Sequence, residues 1–153
     1  MNRIAELLPP SNVAVGVDDA NTRHLFASVA GICEASGGVA RATVVEALSG
    51  REKLGATGLG QGIAIPHGRI KGLRDARGAF VRLAQPIPFD APDGRPVNQV
   101  FVLLVPEQAT EQHLELLSEL AQMFSERSFR ERLAVAPDAA ATWSAIRDWA
   151  PVA

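Results

Sequence analysis

Cysteine occurs once in 153 residues, as Cys33, so no disulfide can form within the chain and a reducing compartment suits it. Neither sign of charge dominates: 15 Lys and Arg stand against 17 Asp and Glu, a formal net charge of −2. No overall basic field is there to gather nucleic acid or an anionic membrane. No uncharged apolar run approaches the roughly 18 residues of a membrane span. Residues 1–10 carry Arg3 and Glu6 and no long apolar run, so no signal peptide is expected. Common site motifs are missing as well. In the glycine-rich stretch Gly60 is followed by Gln61 rather than Lys, which excludes a P-loop, and the stretch does not fit G-x-G-x-x-G. No G-x-S-x-G nucleophile elbow occurs. Three scattered histidines and one cysteine lack zinc-ligand spacing, and His67 with His113 would need a carboxylate brought to them to hold a metal.

What remains is ordinary for a soluble globular chain, 47% hydrophobic and 21% charged, and the expectation is one cytoplasmic domain over residues 1–153. Val13, Val15 and Val17 alternate with small residues and predict a strand. Asp18 and Asp19 are placed to cap a helix over residues 20–35, with Leu25, Val29 and Ile32 as its apolar stripe and Gly37-Gly38 as its stop. A second helix is expected over residues 41–48, closing at Ser49-Gly50.

Strands are expected over residues 63–65, 77–83 and 97–105. The last holds six consecutive apolar residues, Val100 to Val105, as a strand buried on both faces does. Pro86, Pro88, Pro92 and Asp93-Gly94 mark the connection between the second and third of these. Thr110 is placed to cap a helix over residues 110–124 with Leu114, Leu117, Leu120, Ala121 and Phe124 inward. Shorter helices are expected around Phe129 and Leu133, and over residues 139–149. The fold class this predicts is α/β (α+β), a single mixed sheet with helices on both faces.

The chemistry gathers in residues 51–69. Gly55, Gly58, Gly60 and Gly62 give a backbone that bends tightly and carries little side-chain bulk. Ile63, Ala64 and Ile65 form the strand that Pro66 ends, placing His67 at a buried strand end between a proline and a glycine. A neutral imidazole near pH 7 can take a phosphoryl group and give it up again, so His67 is the candidate acceptor, in preference to a histidine that merely caps a strand. His113 stands in the first turn of a helix after the central strand, where it could complete a two-imidazole site. Arg51 could hold phosphoryl oxygens with its planar fork, its bland alternative being a solvated surface arginine. Thr57 could add a hydroxyl and a backbone N–H, and Gly58, Gly60 and Gly62 complete the candidate phosphoryl loop. His24 reads as a surface residue, and Cys33 as a small buried hydrophobe.

Residues 51–68, Arg-Glu-Lys-Leu-Gly-Ala-Thr-Gly-Leu-Gly-Gln-Gly-Ile-Ala-Ile-Pro-His-Gly, resemble the enzyme IIA domains of the phosphoenolpyruvate-dependent phosphotransferase system, mannitol/fructose class. Residues 86–97, residues 101–106 and His113-Leu114 resemble its nitrogen-regulatory branch, and the likeness covers nearly the whole chain. It implies an enzyme IIA mannitol-type fold and a phosphotransferase component of mainly regulatory role. His67 would be phosphorylated by a histidine phosphocarrier protein, with His113 orienting the phosphoryl group and Arg51 neutralising it. Regulated proteins such as transporters or sensor kinases would be the partners, with no cofactor, metal or nucleic acid and no membrane insertion. Ala56 departs from the family, where serine is expected. Two alternatives stand beside this reading: a sugar-specific enzyme IIA that hands phosphate to a IIB cysteine, and a binding module whose His67 is never phosphorylated.

Overall fold

The computed structural model describes residues 2–37, 39–108 and 110–151. Among these, six α-helices and a short 3-10 turn (Pro10–Asn12) surround one six-stranded mixed sheet. The strands are β1 (Val13–Val17), β2 (Gly58–Gly60), β3 (Ile63–Ala64), β4 (His67–Ile70), β5 (Arg77–Ile87) and β6 (Val97–Pro106). Their order is β1-β5-β6-β3-β2, and β4 lies on β6 in line with β3. β6 pairs antiparallel with β5 and parallel with β3 and β4, and β1 runs parallel to β5.

The apolar run in β6 divides as the pleat demands. Phe101, Leu103 and Val105 enter one core, and Val100, Val102 and Leu104 the other. On the first face pack α1 (Arg3–Leu7), α4 (Thr110–Ser125), α5 (Arg127–Val135) and α6 (Ala139–Asp148). On the second pack α2 (Thr22–Gly37) and α3 (Arg41–Leu54). Helices on both faces of one mixed sheet is the predicted architecture.

Local boundaries differ where side-chain context overrides local propensity. α2 is capped by Asn21, whose Oδ1 accepts the His24 N–H at 2.9 Å, while Asp19 takes the Ser28 hydroxyl instead. α3 does not stop at Ser49-Gly50 but continues to Leu54. A glycine inside a helix costs about 1 kcal/mol, and the turn beyond it is held by hydrogen bonds of Arg51 to His67 and Gly55 and of Glu52 to Thr57. In α4 the buried stripe is His113, Leu116, Leu120, Met123 and Phe124, whereas Leu114 is 63% exposed. Of the expected stripe Leu117, Leu120 and Phe124 pack on the core, with Leu116 and Met123 in place of Leu114 and Ala121, and His113 shares that buried side. α1 has no periodic signature. It is held by the Asn2 side chain, which accepts from Ala5 N–H and donates to the carbonyls of Ile146 and Trp149. The capping side chain expected at Thr110, and Gly38 in the expected helix stop, lie outside the described residues.

Candidate functional site

His67 does not end a strand; it opens one. Pro66 cannot donate to the ladder, so β3 breaks there. The chain resumes on β6 with His67 opposite Leu103, whose N–H donates to the Pro66 carbonyl at 3.0 Å. Alternation then sorts β4 between the two faces. Gly68 lies on α3, where an added Cβ would stand 3.0 Å from the Ala47 methyl, and Ile70 enters the core of that face. His67 and Arg69 lie on the other face, toward α4.

Two elements then converge on the ring of His67. From α4 comes His113, its ring centroid 5.1 Å from that of His67 and inclined at 67°. From the last turn of α3 comes Arg51. Because α3 runs through Gly50, the guanidinium stands on a rigid helix, and its Nε–H donates to His67 Nε2 at 3.2 Å. Its Nη1 donates to the Gly55 carbonyl at 2.8 Å, which fixes the fork.

The tautomer of His67 follows from its other nitrogen. Nδ1 is 2.9 Å from the Ile65 carbonyl, which can only accept, so the proton is on Nδ1 and the lone pair is on Nε2. Burial, with the Arg51 cation adding to it, pushes the His67 pKa below the ordinary range, against the opposing effects of the Ile65 bond and Glu52. His113 is lowered too, first by burial and then by His67, Arg69 and Arg51. Its Nε2 is buried and has no hydrogen-bond partner. The site is therefore two neutral imidazoles, one whose Nε2 lone pair accepts from a guanidinium and one with an unpartnered ring nitrogen. Among the described residues, no three His, Cys, Asp or Glu side chains gather where they could hold a metal ion.

Ring titration followed by NMR is expected to give midpoints for both histidines below the free value of about 6.5. A midpoint at or above that value for either ring would contradict this electrostatic account. The same shift predicts that stability falls as pH drops through that range, because the unfolded chain binds protons first.

The glycine stretch does not wrap His67 as a phosphoryl loop. Gly58 to Ala64 form a β2–β3 hairpin, turning through positive φ at Gly60, Gln61 and Gly62. The tip is tied to Asp93, which accepts from Gln61 N–H at 2.8 Å. Ile63 pairs four residues before His67 along β6, roughly 13 Å at a strand's rise. Gly60 and Gly62 thus serve the turn, and Gly58 gives close packing, its absent Cβ 3.0 Å from the Ala91 methyl. Thr57 is near the site but spends both donors on Glu52, hydroxyl at 2.7 Å and N–H at 3.1 Å. His24 is exposed and Cys33 is buried, its thiol pushed up to about 11 by desolvation.

Glu52 is the residue that sequence reasoning missed. Its signal was present, since a carboxylate in the last turn of a helix opposes the dipole, but a helix ending at residue 48 hid it. Leu54, three residues beyond Arg51, is 84% exposed, and Leu114, next to His113 in the chain, is 63% exposed.

The family model for "Phosphoenolpyruvate-dependent sugar phosphotransferase system, EIIA 2" matches residues 6–149. The chain is 42% identical to a nitrogen regulatory protein of Pseudomonas aeruginosa, over 97% of each. The crystal structure of nitrogen regulatory protein IIA-Ntr from Neisseria meningitidis superposes with a TM-score of 0.89 at 46% identity, over 95% of this chain and 99% of that one. IIA mannitol from Escherichia coli shares the fold, with a TM-score of 0.76 at 21% identity over 90% of this chain and 97% of that one. Among the described residues no helix is long and apolar enough to cross a membrane.

Proposed function

Because the chain belongs to the EIIA 2 family of the phosphoenolpyruvate-dependent sugar phosphotransferase system, we propose that it is a phosphohistidine regulatory protein that accepts its phosphoryl group on Nε2 of His67. The observation that carries this is the His67 ring itself, held by Ile65 so that its lone pair meets Arg51, with the ring of His113, its Nε2 unpartnered, 5.1 Å away.

The donor is a histidine phosphocarrier protein. Its N–P bond breaks, the electron pair returns to the donor imidazole, and a P–Nε2 bond forms on His67. No proton need leave, since the Nδ1–H stays on the Ile65 carbonyl. As the bond forms, the Arg51 Nε–H passes from the ring nitrogen to a phosphoryl oxygen, and His113, as its Nε2–H tautomer, donates to another. Transfer of this kind depends on positioning and charge neutralisation far more than on covalent chemistry by the protein.

Regulation follows from the surroundings. A phosphoryl group brings a charge of about −1.5 to −2 to a surface where Leu54 lies three residues after Arg51 and Leu114 follows His113, both exposed. Partners that dock on apolar contact bind the free form, and the added dianion changes that preference. Similarity to two nitrogen regulatory proteins over nearly the whole chain favours regulation over sugar transport.

The test is intact mass after incubation with phosphoenolpyruvate, enzyme I and the phosphocarrier. One added phosphoryl group, labile in acid and stable in base, is expected. An unchanged mass on folded protein would leave a binding module with an unused histidine. Quantitative onward transfer to a IIB cysteine would favour the sugar-transport role.

A further inference from the structure

We propose that Glu52 is a positioning residue for the acceptor ring: acting through Thr57 and the peptide of Ile65, its carboxylate sets which nitrogen of His67 is presented. Only the kinetic part of this inference rests on the acceptor role of His67; the part concerning the ring's tautomer does not.

The contacts form an unbroken chain. Both carboxylate oxygens of Glu52 are occupied by one residue, Oε1 by the Thr57 hydroxyl at 2.7 Å and Oε2 by the Thr57 N–H at 3.1 Å. Thr57 is only 6% exposed. Its carbonyl in turn accepts the Ile65 N–H at 3.1 Å. The same residue's carbonyl accepts from His67 Nδ1 at 2.9 Å. Four residues thus link the last turn of α3 to the acceptor ring by hydrogen bonds alone. The neighbouring residue of that turn, Arg51, reaches Nε2 of the same ring directly. One helical turn therefore grips the imidazole from both nitrogens, through adjacent residues.

Glu52 also contradicts its local setting. The C-terminal turn of a helix favours cations, and here Arg51 and Lys53 comply while Glu52 does not. A local rule broken in the middle of a site points to a compensating role. Which ring nitrogen of a histidine carries the proton is decided by the partner of the other. If the Ile65 carbonyl drifts, the Nε2–H form competes. That form has no lone pair at Nε2 for a phosphoryl group, and its N–H confronts the Arg51 N–H.

The experiment compares wild type with Glu52→Ala, Glu52→Gln, Thr57→Val and Thr57→Ser. For each, the His67 tautomer is read from ring 15N shifts, and phosphoryl acceptance from the carrier is resolved into kcat and KM. Glu52→Ala and Thr57→Val are expected to give mixed tautomers and a kcat lower by about 10- to 100-fold, with KM unchanged. Thr57→Ser restores both readouts. Glu52→Gln lies nearer wild type than Glu52→Ala, because its amide can accept from the Thr57 N–H and donate to the hydroxyl oxygen. A folded Glu52→Ala or Thr57→Val protein with the wild-type tautomer and kcat would overturn the proposal. So would a loss confined to KM or to melting temperature. Should Glu52→Ala fail to fold, Thr57→Val, which keeps the buried volume, decides. A wild-type protein that accepts no phosphoryl group sinks the acceptor reading of His67, while the ring spectra still judge Glu52.

Discussion

His67→Ala is expected to abolish phosphoryl acceptance completely while leaving the fold intact. No other imidazole can substitute. His113 has its Nε2 buried and His24 lies exposed on α2. The His67 side chain is half-exposed and belongs to neither core, so its loss opens no cavity. His113→Ala removes a donor and leaves the nucleophile, so acceptance should persist, slowed by about 100-fold, the cost of one donor to developing charge. Onward transfer should slow as well. Single-turnover transfer of labelled phosphate from the carrier, with melting curves of both variants, makes the comparison. Equal and complete loss in the two would overturn this division of roles.

Phe101→Ala is expected to cost about 3–5 kcal/mol of stability, on the order of 10 °C in Tm for a chain of this size. Phe101 is fully buried at the centre of β6, opposite Phe80. Its ring centroid is 6.4 Å from that of Phe124 in α4. An added Cβ at Gly78 would stand 2.8 Å from its ring, so the glycine is shaped to the aromatic and nothing on that side can swell to fill the void. Leu104→Ala, on the opposite face against the α2–α3 layer, should cost about 2–5 kcal/mol. Urea unfolding followed by far-UV circular dichroism measures both. A loss below about 1 kcal/mol at Phe101 would mean that the face collapses around the gap, which the register of β5 on β6 forbids.

The sheet was legible because its period is written plainly. Six apolar residues in a row at 100–105 can only be buried on both sides, and they define the two cores. His67, His113 and Arg51 were legible as chemistry, and the fold brings them together. What could not be read was set by contacts distant in sequence. Asn21 outcompetes Asp19 as a cap because Asp19 faces Ser28. Gly50 fails to stop α3 because Arg51 and Glu52 beyond it are held by bonds to His67 and Thr57. The glycines of residues 58–62 read as a cradle because a turn and a cradle require the same backbone freedom. The hairpin that pairs Gly58 with Ala64 separates the two. Pro66 does end a strand, but the parallel edge of β6 takes the chain up again one residue later.

The His67 ring is backed by a peptide oxygen rather than by an acid. On phosphorylation the imidazole draws toward an imidazolium, and a carboxylate behind it would trap that charge and deepen the well. The neutral Ile65 carbonyl would stabilise it far less, so the proposed phosphorylated state would be kept shallow. Exchange with another histidine would then run in either direction, driven by mass action. If His67 is the acceptor proposed above, a ring built this way would not store phosphate; it would follow the momentary ratio of charged to uncharged donor.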